Sequence, residues 1–154
     1  MTTDDGVYAS DLLIDHPYPI GSYTVSLDDI IGFATQWDPQ SFHIDQESAK
    51  AGFYGEVIAS GLQTLCVYQR LAVLNLYYDW KIIAGRAMTE VRFHKPVRPG
   101  TTLAGTVTIT GVEPRRGERC LVHKFGQLVD DTGDPIFSVR VEAYMQDRDG
   151  APAG

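Results

Sequence analysis

The sequence has two cysteines in 154 residues, Cys66 and Cys120, far apart and in unlike settings, one in an apolar helical pattern and one in a strand pattern. They form neither a C-x-x-C pair nor a Cys/His spacing, so a disulfide framework and a zinc module are both excluded. Both read as free core thiols in a reducing compartment. Basic charge is also scarce: 13 Lys and Arg stand against 20 Asp and Glu, a net charge of -7, and no basic run exceeds Arg115-Arg116. Nucleic acid is held mainly through Lys and Arg, so a nucleic-acid partner is excluded, and an anionic substrate would need a local basic patch. Long apolar runs are missing too. None is long enough to span a bilayer, and Met1-Thr2-Thr3-Asp4-Asp5 is not a basic segment leading into an apolar one. The expectation is a soluble cytoplasmic protein with no membrane partner.

What is present is an ordinary globular composition, 44% hydrophobic and 21% charged, enough for one real core. One domain is expected over residues 1–154, with its core at about 20–145 and frayed polar ends at Met1 to Ser10 and Gln146 to Gly154. Ser26 is placed to cap a helix with Asp28 and Asp29 in its first turn and Leu27, Ile30, Ile31 and Ala34 at helical spacing. Pro39 should end it. A short helical turn is expected around Gln46 to Ala51, followed by a loop at Gly52-Phe53-Tyr54-Gly55. Ser60 then caps a helix through Leu62, Leu65, Cys66, Tyr68, Gln69 and Leu71-Ala72-Val73, apolar nearly all round and so buried. Four strand patterns follow at Met88 to Val97, Thr102 to Val112, Arg119 to Val129 and Pro135 to Tyr144, separated by turn residues. The fold class is therefore α+β, a long antiparallel sheet curled around one buried central helix.

Candidate chemistry lies in Gln36-Trp37-Asp38-Pro39-Gln40-Ser41-Phe42-His43, where a carboxylate and an imidazole sit five residues apart around a proline, a place no regular helix is expected. Both side chains can turn into one pocket. Downstream, Ile58-Ala59-Ser60-Gly61-Leu62 reads as a helix N-terminus with a free backbone N–H. An acid/base pair and an oxyanion donor would form a catalytic set. Residue types alone leave other readings open: Asp38 as a turn residue, His43 as a hydrogen-bonded core histidine, Ser60 as a simple cap, Gly61 as a packing glycine. For Asp38 and His43 the residue types by themselves favour the turn and core readings; the spacing tilts the balance toward the catalytic one, since a turn requires neither the histidine nor the small-residue helix start. His16, His94 and His123 lack partners at ligand spacing and read as solvated or structural, so no metal is expected.

From about Ile20 to Met145 the chain resembles the MaoC-like dehydratase family of hot-dog proteins. The resemblance rests on Phe33-Ala34, Asp38-x4-His43-x-Asp45, Ile58-Ala59-Ser60-Gly61 and Phe93-His94-Lys95-Pro96-Val97-Arg98-Pro99-Gly100-Thr101. It implies a hydratase/dehydratase acting on an acyl-CoA thioester, like the (R)-specific enoyl-CoA hydratases. Asp38 and His43 would hold the water, the Gly61 amide would bind the thioester carbonyl, and Ser60, Phe42, Ile58 and Leu62 would line the substrate. The chain departs from the family pattern at Trp37, Gln40-Ser41 and Phe42, which leaves the pair intact and alters the pocket. The resemblance implies no cofactor beyond coenzyme A as part of the substrate. Arg86, Arg92, Lys95, Arg98 and Lys124 could meet its phosphates or simply form a solvated face. Phe53-Tyr54 and Tyr77-Tyr78-Asp79-Trp80 read as core or interface more readily than as an acyl tunnel. A homodimer or higher homo-oligomer is expected, because one sheet on one helix leaves edge strands open. A hot-dog thioesterase and a non-catalytic acyl-CoA-binding partner subunit are the competing readings.

Overall fold

The computed structural model describes residues 5–148. Helix α1, Leu27–Trp37, starts from a reciprocal cap: Ser26 Oγ accepts the Asp29 amide at 3.0 Å and the Asp29 carboxylate accepts the Ser26 amide at 3.1 Å. It ends at Asp38, ahead of Pro39, as the proline requires. Two short helices follow, α2 (Ser41–Ile44) and α3 (Gln46–Lys50). The Asp45 carboxylate caps α3 by accepting the amides of Glu47 and Ser48. The central helix α4 spans Gly61–Asn75.

Five strands form one antiparallel sheet in the order β1-β3-β4-β5-β2, with β1 at Pro17–Val25, β2 at Ile82–Phe93, β3 at Thr101–Arg115, β4 at Arg119–Val129 and β5 at Pro135–Gln146. Helix α4 turns Val67, Tyr68, Leu71 and Ala72 into a core shared with Val107, Ile109, Leu128 and Val139 of the sheet. Gly126 makes room for this: any Cβ there would overlap the Tyr68 ring. This is the hot-dog arrangement, a sheet with one long helix packed against it.

Several expectations change. Strand β1 is a fifth strand beyond the four expected; Pro17 and Pro19 disfavour a strand interior, but β1 lies at the sheet edge, where a missing N–H can face away from the ladder. A bulge between Pro19 and Gly21, with Gly21 at φ +83°, absorbs the irregularity. Strand β2 begins at Ile82 rather than Met88 and stops at Phe93, leaving His94 to Val97 as the turn that leads to the site. A helical turn, α2, forms directly after Pro39, since proline is compatible with a helix that starts beyond it. The chain at 5–10 is not frayed: Val7 bridges to Trp80 and Ala9 is buried. At the other end Gln146 belongs to β5, the Asp147 amide donates to the Glu118 carbonyl at 3.0 Å and Arg148 pairs with Asp11 at 2.9 Å, so these residues are not frayed either; residues 1–4 and 149–154 lie outside the described residues.

Helix α4 is not buried all round within one chain. Leu62, Cys66, Val73 and Leu74 are exposed on its outer side, because no other segment among the described residues covers them. Cys66 is thus a surface thiol, while Cys120 is buried, its pKa pushed up to about 11 by desolvation. Lys124, grouped above with surface cations, is 4% exposed, with its ammonium 4.1 Å from the centre of the Tyr77 ring. Desolvation lowers its pKa to about 8.

Candidate active site

The end of α1, the short α2 and the start of α4 meet at one cavity of about 380 Å³. Asp38 closes α1, its amide donating to the Ala34 carbonyl at 2.8 Å. The Gln40 carbonyl accepts the His43 amide at 2.9 Å, so the turn after Pro39 lifts His43 back toward Asp38. His43 is 4% exposed and its Nδ1 lies 2.6 Å from the Ile58 carbonyl. A carbonyl only accepts, so Nδ1 carries the proton and Nε2 is left facing Asp38 Oδ2 at 3.4 Å.

Ser60 ties this pair to the helix. Its hydroxyl donates to Asp38 Oδ2 at 2.7 Å and accepts the Leu62 amide at 3.2 Å. Gln40 Nε2 donates to Asp38 Oδ1 at 2.9 Å. With both oxygens accepting, the carboxylate is held below its ordinary pKa, first by the Ser60 hydroxyl and then by the Gln40 amide; burial opposes them, and nearby His43 adds the smallest lowering. Asp38 is therefore an anion at neutral pH.

Gly61, first residue of α4, has an amide with no intrahelical acceptor, and it lines the same cavity. The Phe93 ring covers it: a Cβ at Gly61 would lie 2.8 to 3.0 Å from three ring atoms. A base, an anion beside it and a free backbone donor in one cavity can activate a water and hold a developing negative charge on oxygen.

Of the expected site residues, Asp38, His43, Ser60, Gly61, Ile58 and Leu62 all border this cavity. Phe42 does not; its ring packs against His43 at 4.2 Å and lines a neighbouring cavity with Phe53 and Tyr54. The helical turn at α2 rotates it away from the side that carries His43. Residues that the sequence left unassigned also line the site: Gln40, Thr64, Phe93 and Pro96. Phe93 and Pro96 stood in the quoted 93–101 segment; Gln40 stood beside Asp38, with nothing in residue type to show where its amide points.

The expected phosphate-binding cations are mostly engaged. Lys95 pairs with Asp134 at 2.6 Å and Asp130 at 3.4 Å, Arg98 with Glu56 at 2.7 Å, and Arg86 with Glu142. His94 bonds Ser138 at 2.8 Å and His123 sits between Glu113 and Glu142, both structural roles. Tyr77 and Trp80 are core residues, away from the cavity, while Tyr54 lines it. Among the described residues no cluster of three or more His, Cys, Asp or Glu is placed to hold a metal ion, and no helix is long and apolar enough to cross a membrane.

Residues 13–128 match the model of the family described as "MaoC like domain". Among curated proteins, the chain is 41% identical over 97 residues to the "Uncharacterized protein YdeM" of Bacillus subtilis, covering 63% of this chain and 69% of that protein. It is 35% identical over 77 residues to the "3-hydroxyacyl-thioester dehydratase Z" of Mycobacterium tuberculosis, covering 49% of this chain and 51% of that one, so the match spans about half of that relative's length. Among solved structures, the MaoC-like dehydratase from Rhodospirillum rubrum superposes with a TM-score of 0.82 at 28% identity, over 93% of this chain and 99% of the other.

Proposed function

The chain belongs to the family of MaoC-like domains, whose members include hydratases and dehydratases, and we propose that it adds water to, or removes it from, the 2,3 double bond of an acyl-CoA thioester. The observation that carries this reading is the Asp38 Oδ2 to His43 Nε2 pair at 3.4 Å, opening into the cavity that Gly61 borders.

In the hydration direction, a water lies between Asp38 and His43. Its oxygen attacks C3 while His43 Nε2 takes one of its protons, and the double-bond electrons move through C2 onto the thioester oxygen. The Gly61 amide, aided by the positive end of α4, stabilises that charge. Asp38 remains an anion and stabilises the imidazolium. His43 then returns the proton to C2, so the pair ends as it began and water is wholly incorporated. Dehydration is the reverse. The scheme uses no metal or redox cofactor, and coenzyme A enters as part of the substrate.

The same reading includes a homodimer. Strand β2 is an edge strand exposing Ile82, Ile83, Met88 and Val91, and the outer side of α4 is apolar and uncovered. An uncovered apolar edge of this kind favours pairing with a second copy. Two unbridged cysteines agree with a reducing, cytoplasmic setting.

The test is to incubate the protein with crotonyl-CoA and longer 2-enoyl-CoAs, following the conjugated thioester absorbance and free thiol in parallel. Loss of absorbance without thiol release is the expected result. Thiol release would replace the reading with hydrolysis, and binding without either would make the chain a non-catalytic acyl-CoA-binding subunit.

A further inference from the structure

The two residues of the pair are linked through one residue that the reaction scheme does not mention. Gln40 makes three bonds between them. Its amide N–H donates to the Asp38 carbonyl at 2.8 Å, its own carbonyl accepts the His43 amide at 2.9 Å, and its side-chain Nε2 donates to Asp38 Oδ1 at 2.9 Å. The first two bonds set the turn that brings His43 round to face Asp38. The third occupies the carboxylate oxygen that Ser60 leaves free.

We propose that Gln40 is a positioning residue for the hydration reaction: its side-chain amide fixes the rotation of the Asp38 carboxylate so that Oδ2 stays on the water between Asp38 and His43. This rests on the hydratase reading for its consequence in turnover, but not for the contact itself. A carboxylate bonded only through Oδ2 can swing about its Cβ–Cγ bond, whereas one held at both oxygens cannot. A second consequence is electrostatic. The groups that share the cavity with Asp38 are His43 from α2, the neutral Ser60 that caps α4, and Tyr54 and Lys95, with Lys95 already paired to Asp130 and Asp134. With no free cation among them, the hydrogen bonds from Ser60 and Gln40 are the main influence holding Asp38 ionised. Asp38 is thereby kept out of the proton transfer, which falls to His43.

Two variants of a partly exposed, loop-borne residue test this. Gln40→Met keeps the length and removes the donor; Gln40→Glu replaces it with a second carboxylate. Asp38 is followed by NMR of carboxyl-labelled aspartate, its signal identified by its absence in Asp38→Asn. The expected result is that Asp38 titrates at higher pH in Gln40→Met and higher again in Gln40→Glu. Plateau kcat for crotonyl-CoA should fall by about tenfold with KM little changed, as for one charge-assisted hydrogen bond. An Asp38 titration that stays put in both variants overturns the proposal. So does a plateau kcat unchanged in both variants although Asp38 titrates higher, which would mean that the hold on the carboxylate does not govern turnover. The NMR titration needs no substrate, so a shifted Asp38 in a protein inactive on every enoyl-CoA would count against the hydratase reading and not against the Gln40 contact.

Discussion

The Ser60 hydroxyl donates to Asp38 Oδ2 at 2.7 Å while accepting the Leu62 amide at 3.2 Å, so one side chain is both the cap of the central helix and a ligand of the carboxylate. The helix start and the Asp38–His43 pair are therefore one mechanical unit. Displacing α4 displaces Asp38, and a substitution at residue 60 should register in stability and in turnover together.

Ser60→Ala removes both bonds. Loss of the cap should lower stability by about 1 kcal/mol, and the freed carboxylate should lower kcat by about tenfold. Thermal unfolding and enoyl-CoA hydration measured on one preparation check this. A drop in stability with kcat unchanged would reduce Ser60 to a helix cap.

Asp38→Asn keeps the shape of the carboxylate and should fold normally, with kcat down by about 10²–10⁴-fold. His43→Ala should lose as much activity but also stability. The ring is buried and its removal leaves the Ile58 carbonyl without its donor, worth about 1–3 kcal/mol. Near-native turnover in either variant, on the best enoyl-CoA found, would remove that residue from the reaction.

How far these roles could be read in the sequence depends on what kind of signal each one leaves. That Asp38, His43 and Gly61 come to one cavity was legible because a proline stop, a five-residue spacing and a small-residue helix start are local, and local geometry follows from adjacent residues. Helices α1, α3 and α4 and the strands β3, β4 and β5 were legible for the same reason, through caps and periodicity. Strand β1 was hidden because edge position, which excuses its prolines, is a property of the whole sheet. The roles of Gln40, the sideways turn of Phe42 and the burial of Lys124 depend on which neighbour a side chain reaches, and residue type does not encode that. The outer side of α4 was read as wrapped by the rest of the chain, whereas no described segment covers it, because an apolar residue does not say which neighbour reaches it.

Lys124 makes a stability prediction with a defined sign. Its pKa falls to about 8 in the folded protein against 10.5 unperturbed, so between these values the unfolded chain binds more protons and stability rises with pH. Below about pH 8 both states are charged and the burial penalty is fully present. Lys124→Met keeps the length without the charge and should be more stable than the wild type by up to about 3 kcal/mol below that pH, less the contact with the Tyr77 ring. The gap should close as pH approaches 10.5. Denaturant unfolding of both proteins at pH 7 and pH 10 measures it, and a gap that does not depend on pH would mean Lys124 is not desolvated in the folded state.

Gly61 separates two reasons for a glycine at a helix start. A Cβ there would strike the Phe93 ring, yet Phe93 is 52% exposed and the obstruction is the far end of a side chain that can swing outward. Gly61→Val should therefore fold with a modest loss of stability, while its branched side chain keeps the thioester carbonyl from the residue 61 amide and lowers kcat by about 10²–10³-fold, as for a lost oxyanion donor. Adding Phe93→Ala in the same background removes the clash and should recover stability but not kcat, because the carbonyl is still held off. Thermal midpoint and active-site-normalised kcat of the single and double variants decide between the two reasons. If Phe93→Ala restores turnover along with stability, the glycine exists to admit the ring and the oxyanion donor must be sought elsewhere in the cavity.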